Sequence, residues 1–170
     1  MEPLLIRKVE ARDVSRVREI FLSVVREGDT YVFPPDLPAE EVDRHWLAPG
    51  MHTWVAETGG EVAGTYMLKP NQIGRGDHVA NGSFMVARAC RGRGIGRALA
   101  EHALKEARRL GFEAMQFNLV VATNTAAIHL WHTLGFELVG TLPRAFRHPE
   151  QGRVDAHIFY KLLEPPPANG

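Results

Sequence analysis

The chain has 170 residues, 45% of them hydrophobic and 24% charged, with 20 Lys+Arg set against 20 Asp+Glu. That length supports one domain with its own core better than two, and the balanced charge points to no nucleic-acid partner. The single cysteine, Cys90, excludes an intrachain disulfide, and no apolar run reaches the length of a membrane span or a signal segment. The expectation is a cytoplasmic protein with neither a nucleic-acid nor a membrane partner.

Leu4-Leu5-Ile6 reads as an opening strand. After Asp13, apolar residues at Val14, Val17, Phe21 and Val24 make a helical stripe, with Arg16, Arg18 and Glu19 opposite. Residues 26–38 hold three prolines and the aromatics Tyr31 and Phe33, too broken for regular structure. A helical pattern resumes over 39–47. Residues 53–56 and 62–68 read as strands joined through Thr58-Gly59-Gly60-Glu61, a tight hairpin.

A turn-rich linker over 70–77 leads into a strand over 78–86, whose internal Gly82 suggests a bulge or a close backbone approach. Ile95, Leu99, Ala103, Ala107 and Leu110 predict a long amphipathic helix stopped by Gly111. A buried strand over 115–121 follows. Thr123-Asn124 starts a last helix, with Ala127, Leu130, Trp131 and Leu134 inward and Gly135 at its end. Strands over 137–141 and 154–161 bracket a loop at 143–153, and residues 165–170 read as a flexible tail beyond a single domain of 1–164. The class is α/β: a mixed sheet flanked by helices, with one central strand–loop–helix–strand crossover.

The chemistry concentrates at "RACRGRGIGRAL", residues 88–99, which pack four arginines and three glycines into twelve positions. The stretch joins a strand to a helix, and a helix start offers unsatisfied N–H groups and a positive dipole end to an anion. Gly92, Gly94 and Gly96 remove every second side chain from that approach, while Arg91, Arg93 and Arg97 add charge at its edges. A pyrophosphate fits this description; a turn with solvated arginines is the plainer alternative. The P-loop pattern is absent, and the dinucleotide fingerprint fails because Arg97 or Leu99 stands where it needs its last glycine.

Arg91-Gly92-Arg93-Gly94-Ile95-Gly96 resembles the Arg/Gln-x-x-Gly-x-Gly/Ala signature of the GCN5-related N-acetyltransferase (GNAT) superfamily. The resemblance runs from about residue 78 to 136 and includes Asn124-Thr125-Ala126-Ala127 and Leu134-Gly135-Phe136. It implies the GNAT fold, a mixed central sheet with a splayed parallel strand pair flanked by helices, and acetyl-CoA as co-substrate. It also implies that the amides of Arg91, Gly92, Arg93, Gly94, Ile95 and Gly96 bind the pyrophosphate, with Arg97 beside them. Met85 and Val86 would pair with the pantetheine arm, and the Val86 N–H would serve as oxyanion donor. No metal is implied.

Most relatives place a tyrosine on the last helix for the leaving group, where this chain has Trp131. A departing thiolate, with a reference pKa of about 8.5, needs only hydrogen bonds, and Asn118 and Asn124 are the candidates to supply them. Asn81-Gly82-Ser83-Phe84, Phe117-Asn118-Leu119-Val120 and Asn124-Thr125-Ala126 further resemble the yeast azetidine-2-carboxylate N-acetyltransferases. That resemblance implies Asn81 as a ligand of the substrate carboxylate and Asn124 near both substrate and cofactor.

The structural alternatives are that Asn81 satisfies a nearby backbone group, Asn124 is a helix N-cap and Trp131 is core. Cys90 lacks a His or Asp at a catalytic spacing, and His129 and His132 lack further metal ligands. Glu27, Asp29, Asp77 and His78 remain open as general bases, as does a water chain.

Specificity is expected from Tyr31 and Phe33, and from Arg144, Arg147 and His148 in the 143–153 loop, which often carries dimer contacts in relatives and leaves a homodimer open. The leading expectation is N-acetylation of a small amine or amino acid, such as a proline analogue, by direct transfer in a ternary complex. The alternatives are a phosphinothricin-, aminoglycoside- or peptide-type N-acetyltransferase, and a non-catalytic acyl-CoA sensor.

Overall fold

The computed structural model describes residues 3–164; the expected tail at 165–170 lies outside them. Seven strands form one sheet in the order β1-β2-β3-β4-β5-β7-β6. They are β1 (Leu5–Lys8), β2 (His52–Thr58), β3 (Glu61–Pro70), β4 (Val79–Val86), β5 (Ala114–Val121), β6 (Glu137–His148) and β7 (Gly152–Leu162). Only β4 and β5 run parallel; every other neighbouring pair is antiparallel.

The apolar stripes settle which face each helix covers. α1 (Val14–Glu27) buries Val17, Ile20, Phe21, Val24 and Val25. Together with the short α2 (Ala39–Val42) it closes one face over Val42, Trp46, Val55, Met67 and Met85. α3 (Ile95–Arg109) buries Leu99, Ala100, Ala103 and Ala107. With α4 (Thr125–Thr133) it covers the opposite face over Tyr66, Leu68, Met115, Phe117 and Trp131. Each large side chain so buried contributes roughly 1.5–3 kcal/mol, so these two cores hold the sheet between them.

A buried ion pair pins β1 to α1. Arg7 donates to Asp13 Oδ2 at 2.7 Å and to Glu57 Oε2 at 2.6 Å, and Asp13 is 4% exposed. The Arg7 guanidinium holds the Asp13 carboxyl below its ordinary range.

Three expectations need correction. The β3–β4 ladder runs from Gly64↔Val86 to Pro70↔Ala80 without a shift, so Gly82 makes no bulge. A Cβ there would stand 3.2 Å from Phe84 Cε2 and 3.3 Å from Leu68 Cδ2, so those side chains would have to give by a few tenths of an ångström. The bulge lies in β5, where the pairing with β7 slips between Phe117 and Val120.

Second, the helical pattern over 39–47 is α only to Val42; Asp43–Leu47 widens into a π turn. Third, the loop expected at 143–153 is strand except for its tip. β6 is the edge strand, where a proline forfeits no ladder bond, and a register shift between Leu142 and Phe146 absorbs Pro143 and Arg144. Arg144, Arg147 and His148 therefore belong to β6.

Candidate active site

The site begins where β4 and β5 part. They pair at Val79↔Ala114, Ala80↔Met115 and Asn81↔Gln116 and then diverge. A bulged strand bends, and the slip after Phe117 turns β5 away. Into the opening sinks a cavity of about 590 Å³ lined by residues of α1, the 28–33 segment, β3, β4, β5, α4 and the 91–96 loop.

Along β4 the backbone alternates its hydrogen-bonding direction. The Ala87 N–H donates to Ala63 O of β3 at 2.8 Å, so Met85, two residues back, also faces β3. Phe84 and Val86 face the gap. The Phe84 groups are taken: the Tyr31 hydroxyl donates to Phe84 O at 2.7 Å and accepts from Phe84 N–H at 2.9 Å, standing where β5 backbone would have been. Burial pushes the Tyr31 hydroxyl up to about 12, so it stays protonated and able to donate. Val86 keeps its gap-facing groups at the cavity wall.

The glycine loop lies at one end of this cavity. Gly92 and Gly94 have φ of 74° and 78°, and nothing stands within 4 Å of a Cβ built on either, so the cradle opens to solvent. Both positions need the left-handed region that favours glycine. Gly94 is the N-cap of α3, whose first turn presents its N–H groups there.

Of the expected arginines, Arg91 is held by Glu27 through a bidentate pair at 2.7 and 2.9 Å, and Arg97 pairs with Glu101 at 2.8 Å. Arg93 forms no ion pair among the described residues. The Glu27–Arg91 pair occupies a carboxylate considered as a general base.

The other end is a network of amides. Asn81 Nδ2 donates to Asn71 Oδ1 at 3.3 Å and to Gln116 O at 3.2 Å. Asn118 Nδ2 donates to the same Asn71 Oδ1 at 2.8 Å, and its Oδ1 accepts from Gln116 Nε2 at 2.9 Å. The structure thus joins Asn81 to Asn118 through Asn71, a residue the sequence hides in a linker. Asn124 stands apart: its Oδ1 caps α4 by accepting from Ala127 N–H at 3.2 Å, while the side chain lines the cavity.

Tyr31 and Phe33 both line the cavity, as does His45, whose ring lies 4.7 Å from that of Phe33. The π turn carries His45 to the cavity while Trp46 turns inward and donates to Thr65 Oγ1 at 3.0 Å. Nothing in the one-dimensional pattern separated His45 from other helix-surface residues. Trp131 is 7% exposed and packs on Phe117, Phe84 and Phe136 at 4.3, 5.2 and 5.6 Å between ring centroids.

Arg144, Arg147 and His148 do not line the cavity. The His148 Nδ1 accepts from the N–H groups of Glu150 and Gln151 instead, at 3.2 Å each. His129 and His132 are exposed on α4, and the described residues hold no group of three or more His, Cys, Asp or Glu able to bind a metal. None of the described helices is long and apolar enough to cross a membrane.

The model of the acetyltransferase (GNAT) family matches residues 17–136. The chain belongs to this family. N-acetyltransferase aca1 of Schizosaccharomyces pombe is 41% identical to this GNAT chain over 113 residues, 66% of this chain and 54% of that protein. The chain therefore spans about half the length of that relative. Among solved structures, a GCN5-related N-acetyltransferase from Kribbella flavida shares 43% identity with a TM-score of 0.90, over 94% of this chain and 98% of that one. YncA from Salmonella typhimurium, solved with its cofactor acetyl-CoA, has the same fold at 24% identity and a TM-score of 0.81, over 99% and 98%.

Proposed function

We propose that residues 1–164 act as one acetyl-CoA-dependent N-acetyltransferase domain in the cytoplasm, passing acetyl directly to a small amine or amino acid held beside the donor. The observation that carries this reading is the β4–β5 ladder that stops after three pairs, leaving the cavity between a bare glycine loop and a cluster of amides. Acetyl-CoA supplies the thioester, an acyl donor toward amines.

The open cradle at Gly92 and Gly94 and the start of α3 suit its pyrophosphate, with the amides from Gly92 to Gly96 donating, since the Arg91 N–H already donates to Arg88 O at 3.3 Å, and with Arg93 as an unpaired charge beside them. Because Tyr31 already fills the Phe84 positions and Met85 faces β3, the pantetheine arm pairs with Val86. The Val86 N–H then donates to the carbonyl oxygen as negative charge gathers on it.

The amine must lose its proton. Glu27 is tied to Arg91, and imidazole is the side-chain base suited to work near neutrality, so we assign that proton to His45. Asn118 is held at the amide end, where one of its Nδ2 hydrogens goes to Asn71 and its Oδ1 accepts from Gln116. That leaves the Nδ2 of Asn124, whose Oδ1 alone serves the helix cap, to donate toward the departing sulfur. Tyr31 and Phe33 wall the acceptor, as Asn81 does from β4.

A second reading, a non-catalytic acyl-CoA sensor, is favoured by one feature: Trp131 sits in an aromatic cluster where the superfamily's usual tyrosine would act. The two separate on thiol release from acetyl-CoA with a panel of azetidine-2-carboxylate, cis-4-hydroxyproline, phosphinothricin, polyamines and short peptides. Release with any small acceptor supports the enzyme. Calorimetric binding of acetyl-CoA with no release across the panel supports the sensor.

A further inference from the structure

The amides at the inner end of the gap are ordered by one backbone group. The Gln116 carbonyl can only accept, so Asn81 must turn its Nδ2 toward it, at 3.2 Å. The other Nδ2 hydrogen of Asn81 then meets Asn71 Oδ1 at 3.3 Å. With that oxygen so placed, Asn71 accepts from Asn118 Nδ2 as well, at 2.8 Å, and Asn118 turns its Oδ1 to Gln116 Nε2 at 2.9 Å. Both cavity asparagines therefore converge on a single acceptor atom, Asn71 Oδ1.

The place of this acceptor in the fold gives it a use. Asn81↔Gln116 is the last pair of the β4–β5 ladder, and Asn118 lies in the slip that turns β5 away. Asn71 thus ties β4 to β5 where the two strands part. It is itself anchored, since its N–H donates to Val79 O at 2.8 Å, one residue past the final β3–β4 pair, Pro70↔Ala80. Asn81 and Asn118 line the cavity, whereas Asn71 does not. The Asn71 Nδ2 has no hydrogen-bond partner among the described residues, so the oxygen alone makes the tie.

We propose that Asn71 is a positioning residue for acetyl transfer: its Oδ1 clamps the bulged stretch of β5 to β4 and so fixes the wall against which the acceptor is held. Without that oxygen the Asn81 and Asn118 amides lose their common acceptor and are free to turn, and the bulged stretch loses its tie to β4. A displacement of about 1 Å in such a wall can cost about 100-fold in rate. The glycine loop lies at the other end of the gap and shares none of these bonds, so acetyl-CoA binding should not feel the loss. The effect on rate rests on the acetyl-transfer reading; the clamp itself is testable without turnover.

The experiment compares Asn71→Ala with Asn71→Asp, whose carboxylate keeps an acceptor where Oδ1 stands. Thiol release is measured with the acceptor panel named above, and the side-chain amide signals of Asn81 and Asn118 are followed by nitrogen-15 NMR on the same proteins. In Asn71→Ala, kcat/KM for the acceptor should fall by about 10- to 100-fold, with acetyl-CoA affinity held in calorimetry and both amide signals shifted. Asn71→Asp should recover most of the rate and keep both amides bonded.

An unchanged rate or unchanged amide signals in Asn71→Ala would overturn the proposal. So would a rate loss that Asn71→Asp fails to restore, or one matched by an equal loss of acetyl-CoA affinity, since either would make Asn71 only part of the scaffold. Should the parent protein release no thiol with any acceptor, acetyl transfer falls, and the amide signals still decide whether the clamp exists.

Discussion

The two ends of the gap are built on opposite plans. The glycine-loop end comes from one continuous stretch, Arg91 to Gly96, and works mainly through backbone whose positive φ at Gly92 and Gly94 disfavours any side chain. The amide end is assembled from Asn71, Asn81 and Asn118, with Tyr31 and His45 on the same cavity wall, residues of separate segments that the fold brings together. A contiguous backbone site tolerates no substitution at its glycines but should survive the loss of a neighbouring charge. A distributed side-chain site should lose one property at a time.

Gly94→Asp should break the first end outright. It places a side chain at φ 78° and a negative charge in the cradle, and acetyl-CoA affinity should fall by at least about 100-fold in calorimetry, more than 2.7 kcal/mol. The melting temperature should fall by only a few degrees, the cost of one exposed residue held in the left-handed region. An unchanged affinity would remove the pyrophosphate from this loop.

His45→Gln should lower kcat by about 100-fold, the low end for loss of a general base, and leave acetyl-CoA binding intact. A change confined to KM would make His45 a wall of the acceptor site instead.

Tyr31→Phe should destabilise the fold by about 1–2 kcal/mol in urea unfolding, since it strands the gap-facing N–H and C=O of Phe84. The pH dependence has a definite sign. The folded state holds the Tyr31 proton up to about pH 12, whereas the unfolded chain releases it near pH 10. Its contribution is therefore full below about pH 10 and declines as pH rises toward 12. The Tyr31→Phe protein should lack that decline.

Glu27→Gln should do least. The Glu27–Arg91 pair is partly exposed, with side-chain exposures of 23% and 43%, and such pairs are worth about 0–1 kcal/mol. Acetyl-CoA affinity should move by less than about 5-fold, and a larger loss would show that the loop depends on that arginine's placement.

The same contrast explains what could be read from the sequence. Helix stripes, the Gly59-Gly60 hairpin and the crossover around residues 88–99 are local patterns, and the structure has each of them. The parallel pair and its parting were implied by resemblance, but the cause was misplaced. Gly82 looked like a bulge because it is a glycine inside a strand, whereas the slip sits at Asn118-Leu119, whose residues carry no such mark.

The 143–153 segment misled for a related reason. Pro143 signals a loop anywhere except on an edge strand, and edge position is a property of the whole sheet. Asn81, Asn118 and Asn124 could be named from the sequence, but their sharing-out could not. Asn71 binds the first two together, and the third caps α4. His45 was invisible, since its place on the cavity wall depends on a π turn.

That donor and acceptor occupy the gap together is open to a direct kinetic test. Initial rates of thiol release can be measured over a grid of acetyl-CoA and acceptor concentrations. Intersecting double-reciprocal lines are expected, because Val86 and the amide end line one cavity and transfer needs both partners present. Parallel lines, the mark of a covalent acetyl-enzyme, would contradict direct transfer and turn attention to Cys90, the chain's lone thiol.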